Sequence, residues 1–258
     1  MSRVQVPALG QEQAKSGAPR SLLMAKVYAG TSGWAYPAWK PDFYPPKLAA
    51  AKFLGYYATR LNTVEINYTF RRMVTPKVIE GWVAATPETF RFAIKANQVI
   101  THVKRLRDAE EFTRRFLDSI QPLAQAGRLG PVLFQLPPFL KKDAALLDAF
   151  LAELPHSAAL KLAFEFRHGS WFGDAVYDVL RKYGAALCVA GSEKIECPDV
   201  TTGAFAYYRF RKPEYSAGEL KQIEAKMREH TQAGHDVFAY FKHEDTPAGA
   251  RYAEELLK

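Results

Sequence analysis

Residues 161–171 read KLAFEFRHGSW. Leu162 to Phe166 have the apolar density of a strand covered on both faces, yet Glu165, Arg167 and His168 arrive within four positions. Ionised groups are costly to bury unless they pair or do chemistry. The stretch therefore predicts a core strand that runs out of packed layers into a polar pocket.

Seven further β-rich runs surround it: KVYAGT (26–31), TVEIN (63–67), FRFAIKA (90–96), PVLFQL (131–136), AALCVA (185–190), AFAYYRF (204–210) and DVFAYF (236–241). Most carry consecutive apolar residues, as doubly covered strands do. Helical patterns alternate with them at 47–60, 75–86, 108–127, 143–154, 171–184, 216–234 and 246–257. Thr75-Pro76 reads as an N-cap and first helical position, and Pro122 predicts a kink or break. The segment GSEKIECPDVTTG (191–203) has no helical period and reads as a loop. The fold class is α/β: a single parallel (β/α)8 TIM-type barrel over residues 25–258, with a disordered N-terminal tail over 1–24. Met24 is an alternative start. A doubly wound open sheet is the runner-up, disfavoured because no Gly-rich dinucleotide fingerprint follows the first strand.

The 258 residues are 48% hydrophobic and 13% aromatic, enough for one large core. No apolar run reaches the length of a membrane span, which argues against a membrane partner. Cys188 and Cys197 make no disulfide framework and suggest a reducing, cytoplasmic location. The net charge is +8; Arg3, Lys15 and Arg20 against Glu12 leave +6 outside the tail. Such a charge attracts anions, nucleic acid included, and also aids solubility.

Barrel sites lie at the carboxyl ends of the strands, and alternate strand residues point inward. If Phe164 and Phe166 face the helices, Glu165 and Arg167 face in. The same parity turns Glu65, Asn67, Lys95, Gln135, Arg209 and Lys242 inward at the same end. Glu165 and Glu65 are candidate general acid–base groups, Lys95, His168 and His102 further catalytic candidates. Neighbouring cations would depress both carboxyls, which suits a base or an ion-pair anchor. Arg167 and Arg209 could grip a phosphate or carboxylate bidentately. After the first strand, GTSGWAYPAW (30–39) offers Thr31, Ser32 and backbone NH groups as an anion cradle, and Trp34, Tyr36 and Trp39 as a stacking wall or a packed lid. The run THVKRLR (101–107), with Arg71 and Arg72, would add a positive rim. No HxH or HExxH spacing occurs, so no metal site is assigned; the cofactor is unknown, with an oxygen-ligated divalent ion on Glu165, Glu65 and Asp245 as a minor alternative.

GTSGWAYPAW, FYP, TVEINYTF, FAIKANQVITH, GPVLFQLPP, AFEFRHGSW, AYYRFRKPEYS and YFKHED occur in the order of the signature segments of the YecE-like family, which the chain resembles over about residues 27–257. The resemblance implies a TIM-type barrel without settled activity, and, through a suggested similarity to metal-dependent apurinic endonucleases, makes DNA a candidate ligand. Its motif positions include Thr31, Ser32, Trp34, Glu65, Asn67, Lys95, His102, Gln135, Glu165, Arg167, His168, Arg209 and Lys242. Arg71 replaces a frequent Tyr, and RFRK and FKHED stand where many members have RLHG and FNND. The chain thus resembles a more basic subgroup.

These readings converge on an enzyme of undecided class, a phosphodiester or sugar-phosphate hydrolase being one option, acting on an anionic, phosphorylated or nucleic-acid-like substrate; the shortage of metal ligands counts against phosphodiester hydrolysis. The alternative is a nucleic-acid-binding protein without turnover. The expected partner is an anionic small molecule or nucleic acid.

Overall fold

The computed structural model describes residues 25–155, 157, 160–191, 195–242 and 246–258. The expected tail (1–24), and His156, His243 and Asp245, lie outside the described residues. Eight strands form one parallel sheet: β1 (Val27–Thr31), β2 (Thr63–Ile66), β3 (Arg91–Lys95), β4 (Leu129–Gln135), β5 (Leu162–Glu165), β6 (Ala186–Ala190), β7 (Phe205–Phe210) and β8 (Asp236–Phe241). From β2 to β8 each strand pairs with the next in sequence, and β1 pairs with β8, which curls the sheet toward a closed barrel whose remaining junction is β1 with β2. The runner-up open sheet is thereby set aside.

Among the described residues seven α-helices surround it: α1 (Phe53–Tyr57), α2 (Pro76–Ala84), α3 (Glu110–Gln125), α4 (Ala144–Ala152), α5 (Asp174–Lys182), α6 (Ala217–Gln232) and α7 (Ala248–Glu255). Asp143 caps α4 by accepting from Leu146 N, and Ser216 with Glu219 forms a capping box on α6. Two sequence expectations shift. The helix expected over 47–60 is a 3-10 turn, Ala50–Lys52, followed by the five residues of α1. Pro122 does not break α3, which runs three residues beyond it to Gln125.

Strand parity sorts two cores. Phe92, Ile94, Phe134, Phe164 and Phe166 face outward and pack in one cluster with Ile79, Phe116, Leu147 and Phe150 of the helices. Tyr28, Ala93, Leu133, Ala163, Cys188, Tyr207, Phe238 and Tyr240 fill the lumen. At its amino end Tyr28 stacks on Phe238, centroids 4.6 Å apart, with Phe205 edge-on to Phe238.

The β1–β2 seam closes differently from the other junctions. Its backbone contact is an isolated parallel bridge, Ser32 to Glu65. Side chains supply the rest. Asn62 accepts from Ala29 N (3.0 Å) and donates to Val27 O (2.9 Å). Tyr57 hydroxyl accepts from Thr31 N (2.9 Å) and donates to Thr63 O (3.0 Å). Gly30 is needed for this approach: a Cβ there would stand 2.0 Å from Thr63 O.

Candidate functional site

At the carboxyl end the lumen changes from apolar to ionic. Glu65 on β2 and Glu165 on β5 are both 0% exposed, and Arg209 on β7 is 4% exposed. The guanidinium forks between the carboxylates: Nη1 donates to Glu165 Oε2 (2.5 Å) and Nη2 to Glu65 Oε1 (2.8 Å). Ser32 Oγ (2.8 Å) and the Tyr207 hydroxyl (2.7 Å) also donate to Glu65, and Arg167 Nε donates to the remaining oxygen of Glu165. Every carboxylate oxygen is thus engaged. Two buried carboxylates are tolerable only with such compensation. Burial pushes Glu165 up, but Arg209 and Arg167 outweigh it and hold its carboxyl at about 2. Burial works against the Arg209 charge too, yet the two glutamates hold its pKa well above the ordinary value.

Above this floor opens a cavity of about 680 Å³. Its wall includes Lys95, Arg167, Arg209, Arg211 and Lys242, with Arg71 and Arg72 toward the rim, and no carboxylate lines it among the described residues. Ser32, Asn67 and Gln135 add polar groups. The terminal nitrogens of Arg167 have no protein partner among the described residues, and the buried Arg209 Nε has none either. Unpaired buried donors call for an acceptor. Lys95 Nζ lies 4.2 Å from the centroid of the Phe70 ring and makes no hydrogen bond or ion pair with the described residues. Burial first, then Arg209, lowers its pKa to about 8 despite the pull of the two glutamates.

The expected site residues divide. Ser32, Asn67, Lys95, Gln135, Arg167, Arg209 and Lys242 line the cavity. Glu65 and Glu165 lie beneath it with no free oxygen. Thr31 leaves the site: adjacent to Ser32, it has the opposite parity, is fully buried, and donates to Gly33 O (2.6 Å) beside Tyr57. His168 caps the Gly169–Trp171 turn by accepting from Ser170 N (3.1 Å), so its ring serves the loop. His102 stands edge-on to Phe70, centroids 5.0 Å apart, behind the ring that carries Lys95; burial and the nearby Lys95 lower its pKa.

Trp34 lines a neighbouring apolar cavity of about 420 Å³ with Trp82 and Val78, which shares Ser32, Tyr36, Asn67 and Tyr68 with the charged one. Trp39 belongs to no wall; it is fully buried against Phe43 and Tyr44. The basic run also points elsewhere: Lys104 donates to Asp108 O, Arg105 lies over Phe139, and Arg107 pairs with Asp143. Among the described residues no three His, Cys, Asp or Glu side chains gather as a metal-holding group. Sequence reasoning missed the Tyr207 bond to Glu65, the place of Arg211 in the wall, and Phe70 as the platform for Lys95. The parity of β7 already carried Tyr207 and Arg211.

Residues 28–258 match the family described as protein of unknown function DUF72. The chain belongs to the DUF72 family. Among DUF72-like relatives, UPF0759 protein YunF of Bacillus subtilis (strain 168) is 34% identical over 159 residues, 59% of this chain and 54% of that protein. UPF0759 protein YecE of Escherichia coli (strain K12) is 31% identical over 147 residues, 57% of this chain and 50% of that protein. The chain spans about half the length of these two relatives. A crystal structure of a DUF72 family protein (TM1631) from Thermotoga maritima MSB8 superposes with a TM-score of 0.80 at 28% identity, covering 90% of this chain and 98% of that one.

Proposed function

We propose that this DUF72 barrel is an enzyme acting on an anionic substrate, a phosphorylated small molecule or a nucleic-acid-like strand, bound in the mouth of the barrel. One observation carries the reading: among the described residues every charged side chain that lines the cavity is a cation, while Glu65 and Glu165 beneath it are spent on Arg209. An anion entering there finds the free nitrogens of Arg167 with Arg211 and Lys242, in a setting where charge-assisted hydrogen bonds are strong.

Among the charged groups, Lys95 is the one suited to handle a proton. A general base needs a lone pair facing the substrate and a pKa near the working pH. Glu165, held at about 2 with both oxygens occupied, is a positioning residue for Arg209 and Arg167, and Glu65 holds the other side of the fork. His102 supports Phe70. The two free thiols suit a cytoplasmic setting, and no helix among the described residues is long and apolar enough to cross a membrane.

The second reading is nucleic-acid binding without turnover, favoured by Arg71 and Arg72, which carry the positive wall outward to the rim. Calorimetric titration with inorganic phosphate, set beside oligonucleotide binding and cleavage across a salt series, tests both. Phosphate binding that Arg167→Ala and Arg211→Ala weaken supports the anion site. Steep salt dependence without cleavage favours the binding protein. If neither phosphate nor oligonucleotide binds at low salt, the proposal fails.

A further inference from the structure

We propose that Lys95 is a nucleophilic amine that forms an imine with the carbonyl carbon of a phosphorylated aldehyde or ketone seated in the barrel mouth. The inference rests on the anion site proposed above and names its substrate class.

Lys95 differs from the lysines that are tied up in ion pairs. Lys161, Lys182, Lys212 and Lys226 each hold a carboxylate within 3.3 Å. Lys95 holds none among the described residues, although Glu65 and Glu165 end the adjacent part of the sheet. The reason is Arg209, whose fork occupies one oxygen of each glutamate; Ser32, Tyr207 and Arg167 take up the rest. The ammonium is left against the face of Phe70 with arginines nearby. Apolar desolvation and a neighbouring cation are the two devices that free a lysine amine for attack on a carbonyl. Held at about 8, such an amine is roughly a quarter deprotonated at pH 7.5, against about one part in a thousand at 10.5. The same wall supplies Arg167, Arg211 and Lys242 for a phosphate, so the electrophile and its handle fit one cavity.

The step balances without an external oxidant or reductant. The ammonium first gives a proton to solvent. The Nζ lone pair then bonds to the carbonyl carbon as the C=O π pair moves to oxygen. The nitrogen passes one proton to that oxygen to give the carbinolamine; its hydroxyl takes up a second proton from solvent and departs as water while the nitrogen lone pair forms the C=N bond of an iminium. One water is released for each imine formed. The iminium then withdraws electrons from bonds beside the former carbonyl carbon.

The test uses the full chain with glyceraldehyde 3-phosphate and sodium cyanoborohydride, which reduces an imine to a stable secondary amine, followed by peptide mapping. Lys95 should be labelled faster than exposed Lys47 or Lys141 by about tenfold or more, its excess of free amine being discounted for its lower basicity. Inorganic phosphate should suppress that labelling, and unphosphorylated glyceraldehyde should label Lys95 far less. Lys95→Arg, which keeps the charge, should lose the adduct while still binding phosphate by calorimetry. Labelling with no excess at Lys95, in a protein that binds phosphate, overturns the inference and leaves the anion site standing. Equal labelling by the two aldehydes overturns the substrate class. Absence of phosphate binding in the wild-type chain fails the underlying reading instead.

Discussion

Two lysines lie over phenylalanine rings at opposite ends of this barrel. Lys161, leading into β5 at the amino end, sits 5.4 Å from the Phe238 centroid and pairs with Asp236 at 3.0 Å. Lys95, closing β3 at the carboxyl end, sits 4.2 Å from the Phe70 centroid and pairs with no carboxylate among the described residues. The residue type and the aromatic contact are alike; the carboxylate differs. At the amino end the pair pins the base of the lumen over Tyr28, Phe205 and Phe238. At the mouth, carboxylates are present but are committed to Arg209. A cation left unpaired in a partly buried place contributes little to stability, and its presence is better explained by what it can bind or attack.

Substitutions can break this contrast or tighten it. The heaviest losses should come from Phe238→Ala and Arg209→Met, one at each end. Phe238→Ala should cost about 3–5 kcal/mol by cavity formation, equally at neutral and acid pH in urea titrations. Arg209→Met should cost about 3–5 kcal/mol at pH 7, because it strands two buried carboxylates. That second loss should shrink as the solution is acidified and the carboxyls take up protons. Equal losses at both pH values for Arg209→Met would remove the ionic character argued for the mouth.

Next is the wild-type acid response. The Glu165 carboxyl is depressed in the folded state, from an ordinary 4.5 to about 2. Its contribution is therefore complete above about pH 4.5 and is lost as pH falls toward 2, a change on the order of 3 kcal/mol. Glu165→Gln should flatten the stability profile across that window, and an unchanged slope would show that another group governs it. Tyr207→Phe removes one hydrogen bond to the buried Glu65 and should cost about 1.5–3 kcal/mol by thermal or urea unfolding.

The smallest effects bear on the lysines themselves. Lys161→Met should lose less than about 1 kcal/mol, since that pair is partly exposed. Lys95→Met should be neutral or stabilising, because it relieves the burial of an unpaired amine and its repulsion from Arg209. A loss at Lys95 larger than that at Lys161 would make it a structural residue and undo the comparison.

Much of the architecture was legible in the residues. The eight strand runs were found because doubly covered strands carry consecutive apolar residues, and the parity of β2, β3, β4, β5 and β7 followed from the pleat alone. The same rule would have separated Ser32 from Thr31, had it been applied to β1 as it was to β5. The choice between a stacking wall and a packed lid was not legible because aromatic content does not say which ring is buried: Trp39 is core, and Trp34 lines a neighbouring cavity. His168 looked chemical through its place beside Arg167, but its ring nitrogen answers a local need, the backbone NH of Ser170.

By itself the sequence determined the order of the strands, their inward faces and the end at which charge collects. These follow from periodicities of two and of about 3.6 residues, which are local properties of the backbone. Only the tertiary structure decided that Asn62 and Tyr57 close the β1–β2 seam, and that Arg209 takes both glutamates and leaves Lys95 free. Glu65 and Arg209 are 144 positions apart in the chain. Which cation reaches a carboxylate first is settled by ångström differences between strand ends, and the register of a closed barrel sets those differences where no local pattern can.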